Sequence, residues 1–424
     1  MRLLHTGDWH LGARLGNQDR LPDQLGRLEE VCRYLDEREV DVLLVAGDVF
    51  DEHRSEPLAR IIARLARLLK PRIEAGLWAV FIAGNHDREY VFPLIQGLQE
   101  LVGGDGSPRV VFAERPALVP VSARSGEQAR LPASRTGGPD GQAQLMLLPY
   151  PTPTRYDLPD PPRAGWPSPD AKRHRLAEAL RERIGELAQE ARLTPGVPVV
   201  LCGHFLVRGV REGFYQLSEQ EDVPVEPSDL PSYAYIALGH IHKPQTMGAP
   251  HIRYCGSLER MDRGEADDRK MALLADVGRS GLRDLAELPL NATPFAHVSA
   301  ASQDDLERAA GELSEPERTL VSLSLDLSPD QPVGPLLARA RTLFPRLWAP
   351  PEIRLLEPAA PPAPPAIDRR DVAGTVRSYL REALADDADR DELLRLAEEL
   401  LAEPVGAVRE RPLLRRAETG QETP

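Results

Sequence analysis

The chain has 424 residues, of which 42% are hydrophobic and 28% charged, a composition typical of a globular protein with several domains. Three widely spaced cysteines without a CxxC pair argue against a disulfide framework and against a cysteine zinc site. The formal net charge of −14 argues against a passive nucleic-acid coat, but not against an enzyme that holds metal ions with carboxylates. No apolar run is long enough for a transmembrane helix, and Asp8 precedes any signal-peptide core, so we expect a cytoplasmic protein with no membrane association.

Short β-rich apolar runs alternate with helical patterns over residues 1–285. The runs predict seven strands: Leu3–Thr6, Val40–Ala46, Leu77–Ala83, Arg109–Ala113, Leu145–Leu148, Val197–Cys202 and Tyr233–Leu238. Apolar residues at helical spacing predict helices at 23–39, 57–75 and 174–193. This order predicts an α/β fold with helices on the faces of a sheet. The Pro- and Gly-rich stretches 122–141 and 149–169 are interpreted as surface insertions or lids.

The character of the sequence changes near residue 285. A helix at 303–313 and a strand at 321–327 predict a small α/β unit after that point. Two amphipathic helices near the C-terminus are too short to bury their apolar residues on each other, so they dock on a partner or pack back on the main body. The predicted segments are an α/β domain at 1–285, a small α/β domain at 286–357, a Pro-rich linker at 358–366, a helical pair at 367–403 and a disordered tail at 404–424.

Five short polar motifs follow the ends of five predicted strands. They are Asp8-Trp9-His10, Gly47-Asp48 with Asp51, Gly84-Asn85-His86-Asp87, Gly203-His204 and Gly239-His240-Ile241-His242. Ligands bind outside the carboxyl ends of strands in an open α/β sheet, so we expect the five motifs to meet on one rim. Asp, Asn and His without a thiolate suit Mn²⁺, Fe²⁺ or Zn²⁺ better than Ca²⁺.

The residue types predict a two-metal centre that hydrolyses a phosphate ester. Asp48 is the best candidate for a carboxylate that bridges two cations, because it follows a glycine directly at a strand end. His86 lies beside the candidate ligand Asn85 and is suited to stabilise the transition state or to protonate the leaving group. Asp51 is placed to orient the imidazole of His86. A lone strand-end histidine is more often structural than a ligand, so the hypothesis depends on the complete ordered set.

The motifs HTGDWHLG, AGDVFD, AGNHD, GHF and LGHIHKPQ resemble those of the calcineurin-like metallophosphoesterase superfamily. Within it, the chain is similar to bacterial DNA nuclease subunits that work with a coiled-coil ATPase. The resemblance implies a metallophosphoesterase sandwich with helices on the sheet faces at 1–285, a capping domain at 286–357, and His86 as the catalytic histidine. It implies one metal held by Asp8, His10, Asp48 and His242, and a second held by Asp48, Asn85, His204 and His240. Asp51 stands where archaeal and eukaryotic relatives have a histidine.

The resemblance also implies cofactors and partners. It implies two Mn²⁺ ions, or Mg²⁺ or another divalent metal, and DNA as the substrate. It implies that residues 367–403 bind a coiled-coil ATPase and that the protein forms a homodimer within a heterotetramer. The sequence contains no GxxxxGK[ST] phosphate loop, so any ATP dependence is expected to come from another polypeptide.

Three functional hypotheses remain open at this point. The first is a Mn²⁺-dependent nuclease for double-stranded ends, hairpins and single strands in DNA end processing, repair, recombination and replication. The alternative is a metallophosphoesterase that acts on small phosphomonoesters or cyclic nucleotides. A non-catalytic scaffold is the third, and it predicts at least one missing ligand, whereas all seven candidate ligands are present. The capping unit, the linker and the helical pair favour the nuclease, because a small-substrate hydrolase needs none of them.

Overall fold

The computed structural model describes residues 1–102, 109–124, 141–159, 166–192, 194–210, 223–329, 331–356, 371–385 and 389–402. Contacts divide the chain into two compact units, Met1–Arg354 and Leu355–Pro424. The predicted linker at 358–366 and tail at 404–424 lie outside the described residues. Within the described residues, no helix combines the length and the apolar character needed to cross a membrane.

Strands and helices are numbered here in chain order over the described residues. The strands are β1 (Arg2–Thr6), β2 (Arg14–Leu15), β3 (Gln18–Asp19), β4 (Val42–Val45), β5 (Trp78–Ile82), β6 (Val110–Ala113), β7 (Ala117–Ser122), β8 (Gln142–Leu148), β9 (Val199–His204), β10 (Tyr235–Gly239), β11 (Gln245–Met247), β12 (Ala249–Tyr254), β13 (Met271–Gly278), β14 (Gly281–Pro289), β15 (Phe295–Ala300), β16 (Leu320–Leu327) and β17 (Glu352–Leu355). The helices are α1 (Leu21–Glu37), α2 (Ser55–Glu74), α3 (Val91–Val102), α4 (Pro169–Ala191), α5 (Gln303–Glu312), α6 (Val333–Leu343), α7 (Val372–Ala383) and α8 (Arg390–Ala402).

Two six-stranded sheets form the body of the first unit. The first has the order β14-β13-β1-β4-β5-β6, with β1, β4, β5 and β6 parallel and β13 antiparallel to β1. The second has the order β11-β12-β10-β9-β8-β7, with β8, β9, β10 and β12 parallel. Parallel strands of this kind are covered on both faces, which explains why their sequences are continuous apolar runs.

Alternate side chains of each strand enter different cores because successive side chains point to opposite faces of a sheet. Val42 and Leu44 pack between the two sheets against residues such as Leu145. Leu43 and Val45 pack on the other face, in a cluster that includes residues of α1 and α2. The outer face of the second sheet packs against α4. The result is a sandwich with helices on the sheet faces, as predicted.

The seven predicted strands and the three predicted helices of this region are all present, with ends that differ by a few residues. The strands that carry the five motifs belong to two sheets, as a sandwich requires, and not to the one open sheet from which their shared rim was argued. Periodicity reports which faces of a strand are buried, and it does not report which strands are neighbours. Helix α3 and the strands β2, β3, β7 and β11 to β14 are present although no sequence signal was assigned to them.

The Pro-rich stretch 149–169 differs from the predicted surface insertion. Its first part is described to residue 159, and Arg155 and Tyr156 within it are 1% and 3% exposed. Residues 160–165 of the stretch, and most of 122–141, lie outside the described residues. Residues 149–159 therefore place some side chains in the body of the protein, while Thr154, Asp157 and Pro159 stay exposed.

A small three-stranded sheet, β15-β16-β17, forms a separate layer with α5 and α6. Leu306, Leu336 and Phe344 build its own core against the parallel strands β15 and β16. Arg346 of this region donates two hydrogen bonds to Asp23 at the start of α1, at 3.1 and 2.6 Å. The predicted boundary after residue 285 falls inside β14, and the domain boundaries as a whole stay a prediction.

The second unit contains the helices α7 and α8, which contact each other. The carboxylate of Asp371 caps α7 by accepting a hydrogen bond from the backbone N–H of Gly374 at 2.8 Å. Large apolar side chains remain exposed on the pair: Tyr379, Leu393, Leu396 and Leu400.

Candidate metal centre

The five motifs meet where the carboxyl ends of β1, β4, β5, β9 and β10 converge from the two sheets. The backbone N–H of His240 donates to a carboxylate oxygen of Asp8 at 2.9 Å, which ties the last motif to the first. The backbone N–H of His86 donates to Oδ1 of Asp48 at 2.8 Å, which ties the third motif to the second. The structure thus brings together all five motifs, although it does so across two sheets.

Three overlapping groups of donor atoms could each hold a metal ion. Within each group the ligating atoms lie within 4.8 Å of one another. The groups are Asp8, His10 and His242; Asp8, Asp48 and His204; and His10, Asp48 and His86. Asp48 belongs to two of the groups, and its Oδ2 lies 3.6 Å from Nε2 of His10 and 3.3 Å from Nε2 of His204. This position between two imidazoles is the one that a bridging carboxylate needs.

The backbone at these positions is unusual. Asp8, His10, Asp48 and His240 have φ angles of 48°, 45°, 49° and 89°, in the left-handed region that residues with a Cβ rarely adopt. Strained backbone conformations of this kind cluster at functional sites, where the surrounding structure holds them in place. Gly47 has a φ of 91°, and a Cβ there would lie 2.1 Å from Nδ1 of His204. The glycine is therefore needed both for its conformation and for the close approach of the imidazole.

Buried charge determines the protonation of the donors. Burial by itself would raise the pKa of Asp48, but the charges and hydrogen bonds of His204 and His10 outweigh it and hold that pKa well below its usual value. Burial would lower the pKa of His10, but nearby carboxylates, with Asp51 the largest contributor, raise it to about 9. The pKa of His204 is raised to about 9 in the same way, mainly by Asp48. The carboxylates around His10 and His204 therefore favour a positive charge at both positions.

His204 is oriented as a ligand by its second nitrogen. Its Nδ1 lies 2.7 Å from the carbonyl oxygen of Ala46, so Nδ1–H donates to that carbonyl and Nε2 faces the centre. That Nε2 lies 3.0 Å from Oδ1 of Asn85, and the same oxygen lies 3.1 Å from Nδ1 of His240. Asn85, His204 and His240 therefore converge on one point, together with the Asp48 carboxylate.

His86 and Asp51 form a separate pair at the exposed side of the centre. Nδ1 of His86 lies 2.7 Å from Oδ1 of Asp51, and the side chain of His86 is 44% exposed. Asp51 also lies 3.7 Å from Nδ1 of His10. The contact between Asp51 and His86 is the one that the sequence predicted. An exposed imidazole beside a buried donor cluster can reach a substrate that the cluster holds.

The sequence did not indicate a role for two carboxylates behind the donors. Asp87 is buried and accepts hydrogen bonds from the backbone N–H groups of Val49, Phe50 and Gly84, which joins the second motif to the third. Glu265 lies 2.8 Å from Nδ1 of His242, and its other oxygen accepts a 2.5 Å hydrogen bond from the buried Lys270. A carboxylate behind a ligating histidine sets its tautomer and orientation. Asp87 is adjacent to His86 in the sequence, whereas no motif marks Glu265.

The donor set fits divalent metal ions. It consists of carboxylate, amide and imidazole groups, several of them buried, with the imidazoles His204 and His242 held by second partners. Burying this many ionisable groups together is costly unless they are paired or bind metal. A divalent cation therefore suits the cluster formed by Asp8, His10, Asp48, Asn85, His204, His240 and His242.

The chain is similar in sequence to a family of phosphoesterases and to bacterial nuclease subunits. The family model for calcineurin-like phosphoesterases matches residues 1–244. The SbcD subunit of the nuclease SbcCD from Escherichia coli K12 is 27% identical over 324 residues, which cover 74% of this chain and 74% of the relative. The SbcD subunit from Rhodobacter capsulatus is 28% identical over 362 residues, which cover 80% and 83%. Among solved structures, GAP50, the anchor in the inner membrane complex of Plasmodium, is similar over 69% of this chain and 89% of that chain, with 11% identity and a TM-score of only 0.35.

Proposed function

The chain belongs to the calcineurin-like phosphoesterase family, and we propose that within this family it is the nuclease subunit of an SbcCD-like complex. In this proposal it hydrolyses DNA phosphodiester bonds with two Mn²⁺ ions. Together with an SbcC-like ATPase, it acts as an ATP-dependent exonuclease on double strands and as an endonuclease on hairpins and single strands. This activity serves DNA end processing, repair and recombination.

The observation that carries the proposal is the donor cluster with Asp48 at its middle and the exposed His86 beside it. Asp8, His10, Asp48 and His242 would hold one ion, and Asp48, Asn85, His204 and His240 would hold the other. Two divalent cations, when bound, supply the charge that polarises the scissile phosphate and activates water for attack. The similarity to the SbcD subunits of two bacterial SbcCD nucleases supports DNA as the substrate class.

The protein's own groups then have distinct tasks. The low pKa of Asp48 keeps its carboxylate ionised and available to both ions. Asp51 accepts the Nδ1–H of His86, and its carboxylate compensates the charge of the imidazolium form, in which Nε2 also carries a proton. In that form Nε2–H can donate to the charged phosphate or pass its proton to the leaving oxygen, which leaves His86 neutral.

The test is cleavage of a radiolabelled hairpin DNA in Mn²⁺ by the wild type, His86→Ala and His174→Ala, each with and without the coiled-coil ATPase. We expect the wild type to cut and His86→Ala to be slower by about 10²–10⁴-fold, with an unchanged number of bound Mn²⁺ ions. His174 is exposed on α4 and serves as the matched control, which should behave as the wild type. If the wild type hydrolyses small phosphate esters but cuts no DNA in any combination, the proposed substrate class is wrong.

A further inference from the structure

Arg155 lies behind the third motif and is only 1% exposed. It belongs to residues 149–159, which follow β8 of the second sheet, whereas the third motif follows β5 of the first sheet. A guanidinium is costly to bury, and its donors must find acceptors inside the protein. The acceptors it finds indicate its role.

The guanidinium spans the two ends of the loop that carries Asn85 and His86. Its Nη1 donates to the carbonyl oxygen of Gly84 at 2.7 Å, and its Nη2 donates to the carbonyl oxygen of Asp87 at 2.7 Å. Gly84 and Asp87 are the residues immediately before Asn85 and after His86. The planar fork of the arginine therefore holds the two ends of this loop at a set separation.

The third side of the guanidinium is paired with a carboxylate. Its Nε donates to Oε1 of Glu114 at 2.8 Å. Burial, opposed by the charge of Arg155, raises the pKa of Glu114 to about 7. The guanidinium is thus held on three sides, and two of these contacts are to backbone carbonyls of the loop.

Other contacts fasten the same segment to the same loop. The backbone N–H of Tyr150 donates to the carbonyl oxygen of Ala83 at 2.8 Å. The hydroxyl of Thr152 donates to the carboxylate of Glu89 at 2.7 Å. Residues 150–155 therefore form a strap across the third motif, with the buried Arg155 at its end.

We infer that Arg155 is a positioning residue for the metal centre: through the carbonyls of Gly84 and Asp87 it sets the positions of Asn85 as a ligand and of His86 as the catalytic histidine. This inference rests on the proposed function, from which the roles of Asn85 and His86 are taken. Small displacements of a reacting group are expensive, because a misplacement of about 1 Å can cost about 10²-fold in rate.

The test compares Arg155→Lys with Arg346→Lys. Lysine keeps the charge but cannot reach two carbonyls with a planar fork. Arg346 is the matched control, because its guanidinium also bridges two acceptors, the Asp23 carboxylate and the carbonyl of Arg318, neither of which belongs to the five motifs. The readouts are the thermal unfolding temperature, the affinities of the Mn²⁺ sites by calorimetry, and kcat and KM for bis(p-nitrophenyl) phosphate.

We expect both variants to lose stability. Only Arg155→Lys should bind Mn²⁺ about 10-fold more weakly at one of two sites and lose about 10–100-fold in kcat, with KM within about twofold. Wild-type Mn²⁺ affinities and kcat in folded Arg155→Lys would overturn the inference. A wild-type protein that binds no divalent metal would instead refute the proposed function, which separates the two failures.

A second pair of variants applies if Arg155→Lys does not fold. Glu114→Gln should keep kcat within about threefold, because the two carbonyl contacts remain. Glu114→Gln combined with Arg155→Gln leaves no buried charge to destabilise the fold, and it should show the same loss of kcat and of one Mn²⁺ affinity. Equal kcat and equal Mn²⁺ binding in these two variants would exclude a positioning role for Arg155.

Discussion

The metal centre and the helical pair α7–α8 are built in opposite ways. At the centre, buried polar groups connect residues far apart in the chain, such as His240 with Asp8 and His86 with Asp48. In the helical pair the described polar contacts are mainly local, such as the cap that Asp371 makes on α7, while Leu400 is 71% exposed. The centre is complete within its own unit, and the helical pair presents apolar surface that a partner could cover.

This difference predicts different responses to substitution. A buried group that has lost its partner costs stability or activity at once, because no water replaces the missing contact. An exposed leucine costs little until a second molecule covers it. Variants of the centre should therefore affect the isolated protein, and variants of the helical pair should affect only its binding to a partner.

The largest expected effect follows from Asp48→Asn. The amide removes the ionised carboxylate that lies between His10 and His204, so we expect kcat for bis(p-nitrophenyl) phosphate to fall by about 10³-fold or more. Mn²⁺ binding should weaken in the same variant, as calorimetry can measure. Asp284→Asn, on the exposed part of β14, is the control and should match the wild type. Near-normal activity in Asp48→Asn would remove this residue from the centre.

The second prediction concerns Leu393→Asp combined with Leu400→Asp. Both leucines are exposed on α8, and burying each in an interface contributes about 1.5–3 kcal/mol, so affinity for the coiled-coil ATPase should fall by at least about 10²-fold. Hydrolysis of bis(p-nitrophenyl) phosphate by the isolated protein should not change. The control replaces the exposed pair Arg395 and Glu399 with alanine. If the double aspartate variant keeps its normal helix content and still binds the ATPase with wild-type affinity, this surface is not the interface.

Asp51→Asn is expected to have a smaller effect at the centre. The carboxylate that accepts the Nδ1–H of His86 becomes an amide, which permits the wrong tautomer of the imidazole. We expect about a 10-fold loss of kcat with little change in KM, measured over a range of pH. Because Asp51 is partly exposed, Mn²⁺ binding should change less than it does in Asp48→Asn. An unaltered kcat would show that His86 is oriented by other contacts.

The smallest predicted effect is a pH dependence of stability at Asp23. Burial opposes ionisation of this carboxylate, but hydrogen bonds from Arg346 and Arg20 lower its pKa below the usual value. A folded pKa below the unfolded one means that the stabilisation is present above about pH 4 and is lost as the pH falls through the folded pKa. Asp23→Asn should therefore be less stable than the wild type by about 1–3 kcal/mol at pH 7. Urea unfolding at several pH values should show this difference shrinking in acid, and a constant difference would contradict the assignment.

The local elements were predictable because their signals are local. The strand Val42–Val45 and the helix Ser55–Glu74 have the apolar runs and spacing of buried elements, and both are present where the sequence indicates them. The pairing of strands was not predictable in this way. β13 pairs with β1 although some 270 residues separate them, and no periodicity in either strand reports that contact.

In the candidate site, too, some residues have a local sequence signal and others are revealed only by long-range contacts. Its donors are adjacent to glycines at strand ends, so Asp48 and His204 could be identified from short motifs. The contact between Asp51 and His86 was also expected, and the structure confirms that the two side chains meet. Glu265 behind His242 and Arg155 behind Asn85 had no such signal, because neither lies in a motif.

The sequence by itself determined which donor types follow which strands and therefore which chemistry the centre can support. It did so because a metal site needs particular side chains at particular strand ends, and short motifs of three to five residues contain those side chains. Only the tertiary structure decided that two sheets share the centre, that β13 completes the first of them, and that the strap with Arg155 holds the third motif. These contacts join residues tens to hundreds of positions apart, and they arise from burial and hydrogen bonding in the folded chain.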